Sequence, residues 1–538
     1  VLTVGIVICS GMLFRQSARS PVRKGIGPHA VRFDRSGRTL IPLTSICLFL
    51  AGYISMTLFW EDFAWYGNSQ FTEYSIRGID FPVYISPEDG RFLPLSLQEF
   101  NVIGHFTKTV AGYHAFSILE LLVLASILLV LCDELSVASR VFLITLALVV
   151  PSVVISFTGL IYTERDVILL LVCLALFVKL FEQNHSAWWA VAAVFSSQVM
   201  LYLKEPVFLL LLGFSASRLI LRLRNFQTAS WNVDRLRDDE SRLDLCIAAV
   251  SILFLVYYVI KMFPRTSAKY LVGHQLVSSM GSVAFYFSAD PLAWVFAAVV
   301  AIRMYRIFRG MAVPQLLWDG LACGGVVYFA AYIAMRLTRH YYVAPADLIA
   351  VIYLGHLLHL SWGAMRWRVR AAAAALVIIL VGQNLEVSAF WVINRKHVLH
   401  QKSEIASTIL ERYTRSPNLV RNLYFPFTEP YMLMEFAAYL SYRGVPVEDD
   451  SNASPGEPRV EIFGGKIVAD GRCQSWTRFM CHAGAPDAGR MVIVLPDDTV
   501  SPVEAELYRE SENTLRSYNP RIQAFDIPTR MLRVIYPD

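Results

Sequence analysis

The chain has 538 residues, 55% of them hydrophobic and only 17% charged, with a net charge of +5. Soluble domains carry about 25% charged residues, and the apolar excess here is gathered into runs near the roughly 20 residues a helix needs to cross hydrocarbon. A soluble globular chain is therefore excluded, and so small a net charge gives no ground for binding nucleic acid.

Residues 1–14 are apolar but too short to span a bilayer, and no small-residue cleavage site follows them. Then Arg15, Arg19, Arg23, Lys24, Arg32, Arg35 and Arg38 stand against one acid, Asp34. Positive charge collects on the cytoplasmic side, so residues 1–38 are predicted to be a cytoplasmic basic segment. The first span is predicted at 39–60. The others are predicted at 110–131, 139–162, 167–182, 187–203, 206–222, 243–263, 287–303, 317–336, 343–362 and 371–392. The expected inner loops agree with this threading. They carry Arg218, Arg222, Arg224, Arg235, Arg237 and Arg242, then Arg303, Arg306 and Arg309, then Arg366, Arg368 and Arg370. About eleven spans from an inner start put the active face and the C-terminus outside, in a cell membrane of the bacterial inner type.

The first outer loop, 61–109, is long and mixes acids with aromatics, and residues 95–109 read as a short amphipathic helix at the membrane surface. The tail, 393–538, has soluble character. A helix is predicted over 400–415, a strand over 421–427, a helix over 429–444, strands over 459–463 and 490–496, and a helix over 501–511. The alternation of helices and strands predicts a small α/β domain. Cys473 and Cys481 flank a Gly-containing stretch of this tail and could close a loop in an oxidising compartment. The remaining cysteines named by the apolar runs, such as Cys132 and Cys323, lack metal-ligand spacing.

Charge at the ends of spans marks the candidate site, because ionisable groups at membrane depth are costly and usually functional. Four groups share the predicted outer side. Glu61 and Asp62 in FWEDFAWYG offer a carboxylate base toward a hydroxyl. Glu164 and Asp166 in YTERD could ligate a divalent cation through oxygen, and Arg165 between them could grip a phosphate. Lys204 and Glu205 occupy the tight turn LKEP. Arg336, Arg339, His340, Tyr341 and Tyr342 in RLTRHYYVAPAD lie at the outer mouth, where the two arginines and the histidine would make a phosphate clamp. Asp89 and Arg91 in EDGRF are further candidate substrate contacts, and Glu120 and Glu386 are candidate cavity groups inside spans. Each group also has a plain reading as a solvated helix end or turn.

The order of these motifs resembles the GT-C superfamily of membrane glycosyltransferases, which includes lipid A aminoarabinose transferases and protein O-mannosyltransferases. The points of likeness are the acidic pair Glu61-Asp62 opening the first outer loop, the later acidic motif TERD, and the basic-aromatic-Pro segment TRHYYVAP. The pair here is Glu-Asp, whereas many relatives have Asp first. The resemblance implies a polyprenyl-phosphate sugar donor, a lipid, glycan or protein acceptor, and transfer to a hydroxyl with Asp62 or else Glu61 as base. It implies that Arg165, Lys204, Arg339 and His340 hold the donor phosphate. Asp89, Arg91, Glu205 and Tyr341 would line the substrate, and a divalent metal at Glu164 and Asp166 stays open. A polymerase or ligase of lipid-linked glycans, or a transporter or flippase, is the alternative.

Overall fold

The computed structural model describes residues 81, 83–87, 90–107, 110–160, 162–225, 230–262, 264, 279–415, 422–426, 437, 440–441, 443–447, 460–465, 491–493, 523–526 and 533–536. The predicted first span, Glu61, Asp62, Asp89, Cys473, Cys481 and the predicted helix over 501–511 lie outside these residues. The chain divides into two compact units, one built on 82–99 and 115–388, the other on 100–114 and the segment from 389 onward.

The first unit opens with a hairpin, β1 (Tyr84–Ser86) and β2 (Arg91–Leu93), paired antiparallel. Gly90 closes its turn at φ 67, where a side chain would be strained. Helix α1 (Gln98–Gly104) follows and covers only part of the predicted 95–109 helix. The helices α2 (Val110–Leu131), α3 (Val137–Leu148), α4 (Pro151–Thr158), α5 (Glu164–Asn184), α6 (Ala187–Leu203) and α7 (Val207–Leu223) come next. A short antiparallel hairpin, β3 (Arg224–Asn225) and β4 (Ser230–Trp231), leads to α8 (Asp239–Lys261), α9 (Ser279–Ala289), α10 (Pro291–Phe308), α11 (Leu316–Ala334), α12 (Ala344–Trp362) and α13 (Trp367–Arg415). Six helices are long and apolar enough to span a membrane, or seven if a bent pair counts as one, among the described residues. Ile252, Val256, Val259 and Ile260 on α8, and Ile378 and Ile379 on α13, lie exposed. So much apolar surface facing outward needs lipid rather than water, and the chain is an integral membrane protein.

Two predicted elements are corrected. The span expected over 139–162 is broken into α3 and α4, bent by 65°. Pro151 is the cause: it has no N–H to continue the ladder and forces Val150 to extended geometry, ψ 133. The span over 371–392 and the helix over 400–415 are one continuous 49-residue helix, α13. No proline or glycine stands between them to stop it, so the loss of apolar character at the membrane edge did not end the helix.

Close packing of α7 on α11 rests on glycine. A Cβ at Gly324 would lie 2.6 Å from the Leu210 carbonyl oxygen, and one at Gly320 would lie 2.5 Å from Arg218 Cγ. Without a hydrophobic drive between helices in lipid, such small-residue approach is what holds them together. The second unit contains a five-stranded sheet made of β5 (Asn422–Pro426), β6 (Glu461–Gly465), β7 (Met491–Ile493), β8 (Gln523–Asp526) and β9 (Arg533–Tyr536), in the order β6-β5-β7-β9-β8. β5 is parallel to β6 and β7, while β9 runs antiparallel to β7 and β8. The strands expected over 421–427, 459–463 and 490–496 correspond to β5, β6 and β7. Two further strands, β8 and β9, close the tail.

Candidate active site

Three separate turns meet at one end of the first unit. The turn before α5 brings Glu164, Arg165 and Asp166, that after α6 brings Lys204 and Glu205, and the segment before α12 brings Tyr341 and Tyr342. Glu164 Oε1 lies 2.7 Å from Lys204 Nζ, and both side chains are buried. The same ammonium sits 4.8 Å from the centre of the Tyr342 ring, a cation–π contact. Tyr342 stacks on Tyr332 at 5.1 Å, and Tyr341 stacks on Tyr162 at 4.1 Å. Tyr328 and Tyr332 are one helical turn apart on α11, with hydroxyl oxygens 3.2 Å apart. The result is a tyrosine-lined floor with one shared cation.

Arg165 is fully enclosed. Its Nε lies 2.6 Å from Glu120 Oε2 and 3.8 Å from Asp166 Oδ1, and its Nη2 donates to Glu99 Oε1 at 3.1 Å. Three carboxylates around one guanidinium leave an excess of negative charge, so protonation of a carboxyl is favoured. Glu99, on the surface helix α1, is held well above the usual carboxylate range. Burial is the main cause and the nearby Asp166 carboxylate adds to it, while Arg165 works against both. On the other side Arg91 Nη1 lies 3.4 Å from Glu205 Oε2, and Glu205 Oε1 accepts the Phe92 N–H at 3.1 Å. That pair ties hairpin strand β2 to the turn before α7.

The two acids of the ExD motif face different cations: Glu164 meets Lys204 and Asp166 meets Arg165. No group of three or more His, Cys, Asp or Glu placed to hold a metal ion is found among the described residues. Glu205, next in sequence to Lys204, makes its ion pair with Arg91.

Arg339 caps the 3-10 turn His340–Val343 and is exposed, with no ion pair among the described residues. The neighbouring Arg336 adopts φ 59, a left-handed conformation unusual for a side-chain-bearing residue. The His340 ring packs against Phe285 at 5.5 Å. The Tyr286 hydroxyl donates to the Leu337 carbonyl, which fixes the segment's entry. One turn below the tyrosines, Asp347 on α12 accepts from the Ser152 hydroxyl on α4 and meets the Asp290 carboxyl at the head of α10. Sequence reasoning missed this acidic pair. Asp347 stood inside the quoted VAPAD segment, but Asp290 reads as an ordinary N-cap before Pro291, which it also is. It also missed Glu99, for which the amphipathic pattern gave no signal of an inward-facing acid.

No family model matches the chain, and no curated protein matches it. Solved structures do match. The crystal structure of ArnT from Cupriavidus metallidurans in the apo state aligns at 13% identity and TM-score 0.40, over 91% of this chain and 97% of that one. ArnT from the same organism bound to undecaprenyl phosphate aligns at 12% identity and TM-score 0.41, over 93% of this chain and 98% of that one. Each alignment runs over nearly the whole of both chains.

Proposed function

We propose that the chain is a GT-C type membrane glycosyltransferase that moves a sugar from a polyprenyl-phosphate donor to an acceptor hydroxyl on the extracytoplasmic face. In this reading 39–392 is the transmembrane catalytic domain, threaded about eleven times, and 393–538 is an extracytoplasmic α/β domain. The observation that carries it is the convergence of three turns on a tyrosine-lined floor, with an unpaired cation, Arg339, at its edge. Aromatic faces with a few fixed polar groups suit a small organic ligand, and an uncompensated guanidinium suits its phosphate.

The donor phosphate is assigned to Arg339 and His340, with Lys204 beneath. Arg165, ringed by carboxylates, holds the floor in place rather than touching the phosphate. Tyr341 and Arg91 with Glu205 shape the acceptor side. Asp62, with Glu61 as the alternate, takes the proton from the acceptor hydroxyl as that oxygen attacks the anomeric carbon. The bond from that carbon to the lipid phosphate breaks, and the cations stabilise the charge left on the phosphate.

Asp62→Asn is expected to lower transfer by about 10²–10⁴-fold, the usual worth of a general base, with an unchanged melting temperature in detergent. Transfer by the purified variant at the wild-type rate would sink the base assignment. Arg339→Ala should raise the KM for donor without altering melting, since the side chain is exposed. Loss of activity in Arg339→Ala with indifference to Asp62→Asn would point to a polymerase or ligase of lipid-linked glycans instead.

One feature favours a transporter or flippase as a second reading. The broken span α3–α4 carries Ser152 against a buried acidic pair, and interrupted helices with polar groups at the break are common in transporters. Lipid movement in proteoliposomes without glycosyl transfer would decide for it.

A further inference from the structure

In the same unit a cavity of about 620 Å³ opens among α3, α12 and α13. Its walls are apolar, with Leu143, Leu146, Leu354, Leu358, Val377 and Val381 prominent among them. It reaches Trp362 and Gly363 at the end of α12, about 27 Å along that helix from Ala344 at about 1.5 Å rise per residue. A headgroup held at Lys204 and Arg339 would therefore lie well away from this mouth. Pockets of about 300–1,000 Å³ enclose small organic ligands, so one hydrocarbon chain fits this volume.

The mouth is cationic and aromatic. Arg370 donates from Nη2 to the Gly363 carbonyl at 2.8 Å, which places its guanidinium on a residue that lines the cavity. Its Nε is buried and has no hydrogen-bond partner among the described residues. Arg366 and Arg368 are exposed and make no ion pair among the described residues, and Arg368 lies 5.6 Å from the centre of the Trp367 ring. Trp362 and Trp367 are exposed at the level where tryptophans anchor to headgroups. Asp133 and Glu134, next to the lining residue Leu135, already face other cations: Lys179 meets both, and the Arg140 guanidinium donates to the Asp133 carbonyl beside them.

We propose that this cavity is a binding site for an anionic phospholipid, with one acyl chain in the apolar cleft and the phosphate at Arg370, flanked by Arg366 and Arg368. Basic residues at a helix end beside an inter-helix crevice are the chemistry that selects an anionic headgroup. The Arg370 Nε supplies a donor that meets no acceptor among the described residues. The site is separate from the proposed donor site and does not depend on the transferase reading.

The test is native mass spectrometry of the purified full chain, incubated with phosphatidylglycerol or with phosphatidylcholine of the same chain length. Wild-type protein should retain phosphatidylglycerol at least fivefold better. Arg370→Ala and the double variant Arg366→Ala/Arg368→Ala should abolish that preference, while Val381→Trp, which fills the cleft, should lower retention of both lipids. Equal retention of the two lipids by wild type, or a preference unchanged in Arg370→Ala, overturns the proposal. So does displacement of the phospholipid by polyprenyl phosphate with the same arginine dependence, which would make the cleft a donor-tail site. Val381→Trp is read only where its melting temperature matches wild type; the arginine variants carry the test otherwise.

Discussion

Two buried charged networks stand at the two ends of α5, and they are built differently. From Asp166 to Glu182 the helix rises about 24 Å at about 1.5 Å per residue, close to the roughly 30 Å of a hydrocarbon core. At the far end Arg218 Nε lies 2.7 Å from Asp244 Oδ1, and its Nη2 lies 2.9 Å from Glu182 Oε1. Arg222 reaches the same Glu182 at 2.6 Å and Asp244 at 3.3 Å. Arg218 and Asp244 are fully buried. Two guanidinium groups thus lock α5, α7 and α8 into one closed lattice. At the near end cations and acids alternate less evenly. Arg165 faces three carboxylates, Lys204 is shared between Glu164 and a tyrosine ring, and Arg339 is left exposed. A closed lattice stiffens the bundle; an uneven one beside aromatic faces leaves charge for a ligand.

The contrast is broken most directly at its structural end. Arg218→Ala should destabilise the protein by about 3–5 kcal/mol, because Asp244 is left buried with a poorer partner. Its melting temperature in detergent should fall sharply, while activity per folded molecule at the other end stays near wild type. A large loss of specific activity with unchanged melting would reverse the assignment of the two ends. Lys204→Met also leaves a buried carboxylate, Glu164, without its cation, so melting should fall here too, by up to about 3–5 kcal/mol of stability. Unlike Arg218→Ala, it should also lower activity per folded molecule, by about 10–100-fold.

The smallest effect is the pH dependence of the near end. Glu99 titrates above its ordinary value of 4.5 in the folded chain, chiefly through burial. The folded state therefore binds its proton more tightly than the unfolded one. Stability from this group is fully present below the unfolded value and is lost as pH rises toward the folded value. Glu99→Gln keeps a polar partner for Arg165 and removes the titration. The melting temperature of wild type should fall relative to Glu99→Gln as pH rises above 4.5. Parallel pH profiles would show that Glu99 is not held above its ordinary range.

Much of this was legible before any coordinates. The ExD turn, the LKEP turn and the RHYY segment were picked out as neighbours, and Glu164, Lys204 and Tyr342 do meet. Their pairing was not legible. Glu205 goes to Arg91 across 114 residues of sequence rather than to the adjacent Lys204. Arginines taken only as markers of sidedness, Arg218 and Arg222, are the centre of the far network. Arg303 likewise holds Asp319, at 2.7 Å, in a cluster that Tyr353 joins at 2.8 Å.

The sequence by itself determined that the chain lives in a membrane, where most of its described helices run, and which turns carry charge. Those follow from local rules: apolar length against bilayer thickness, and backbone groups that lipid forces into helices. The tertiary structure alone decided which carboxylate faces which cation, that Pro151 splits a span in two, and that a cleft opens among α3, α12 and α13 with arginines at its mouth. Such choices depend on helix rotation and crossing. Those are set by close approaches such as Gly324 against Leu210, which periodicity along one helix does not encode.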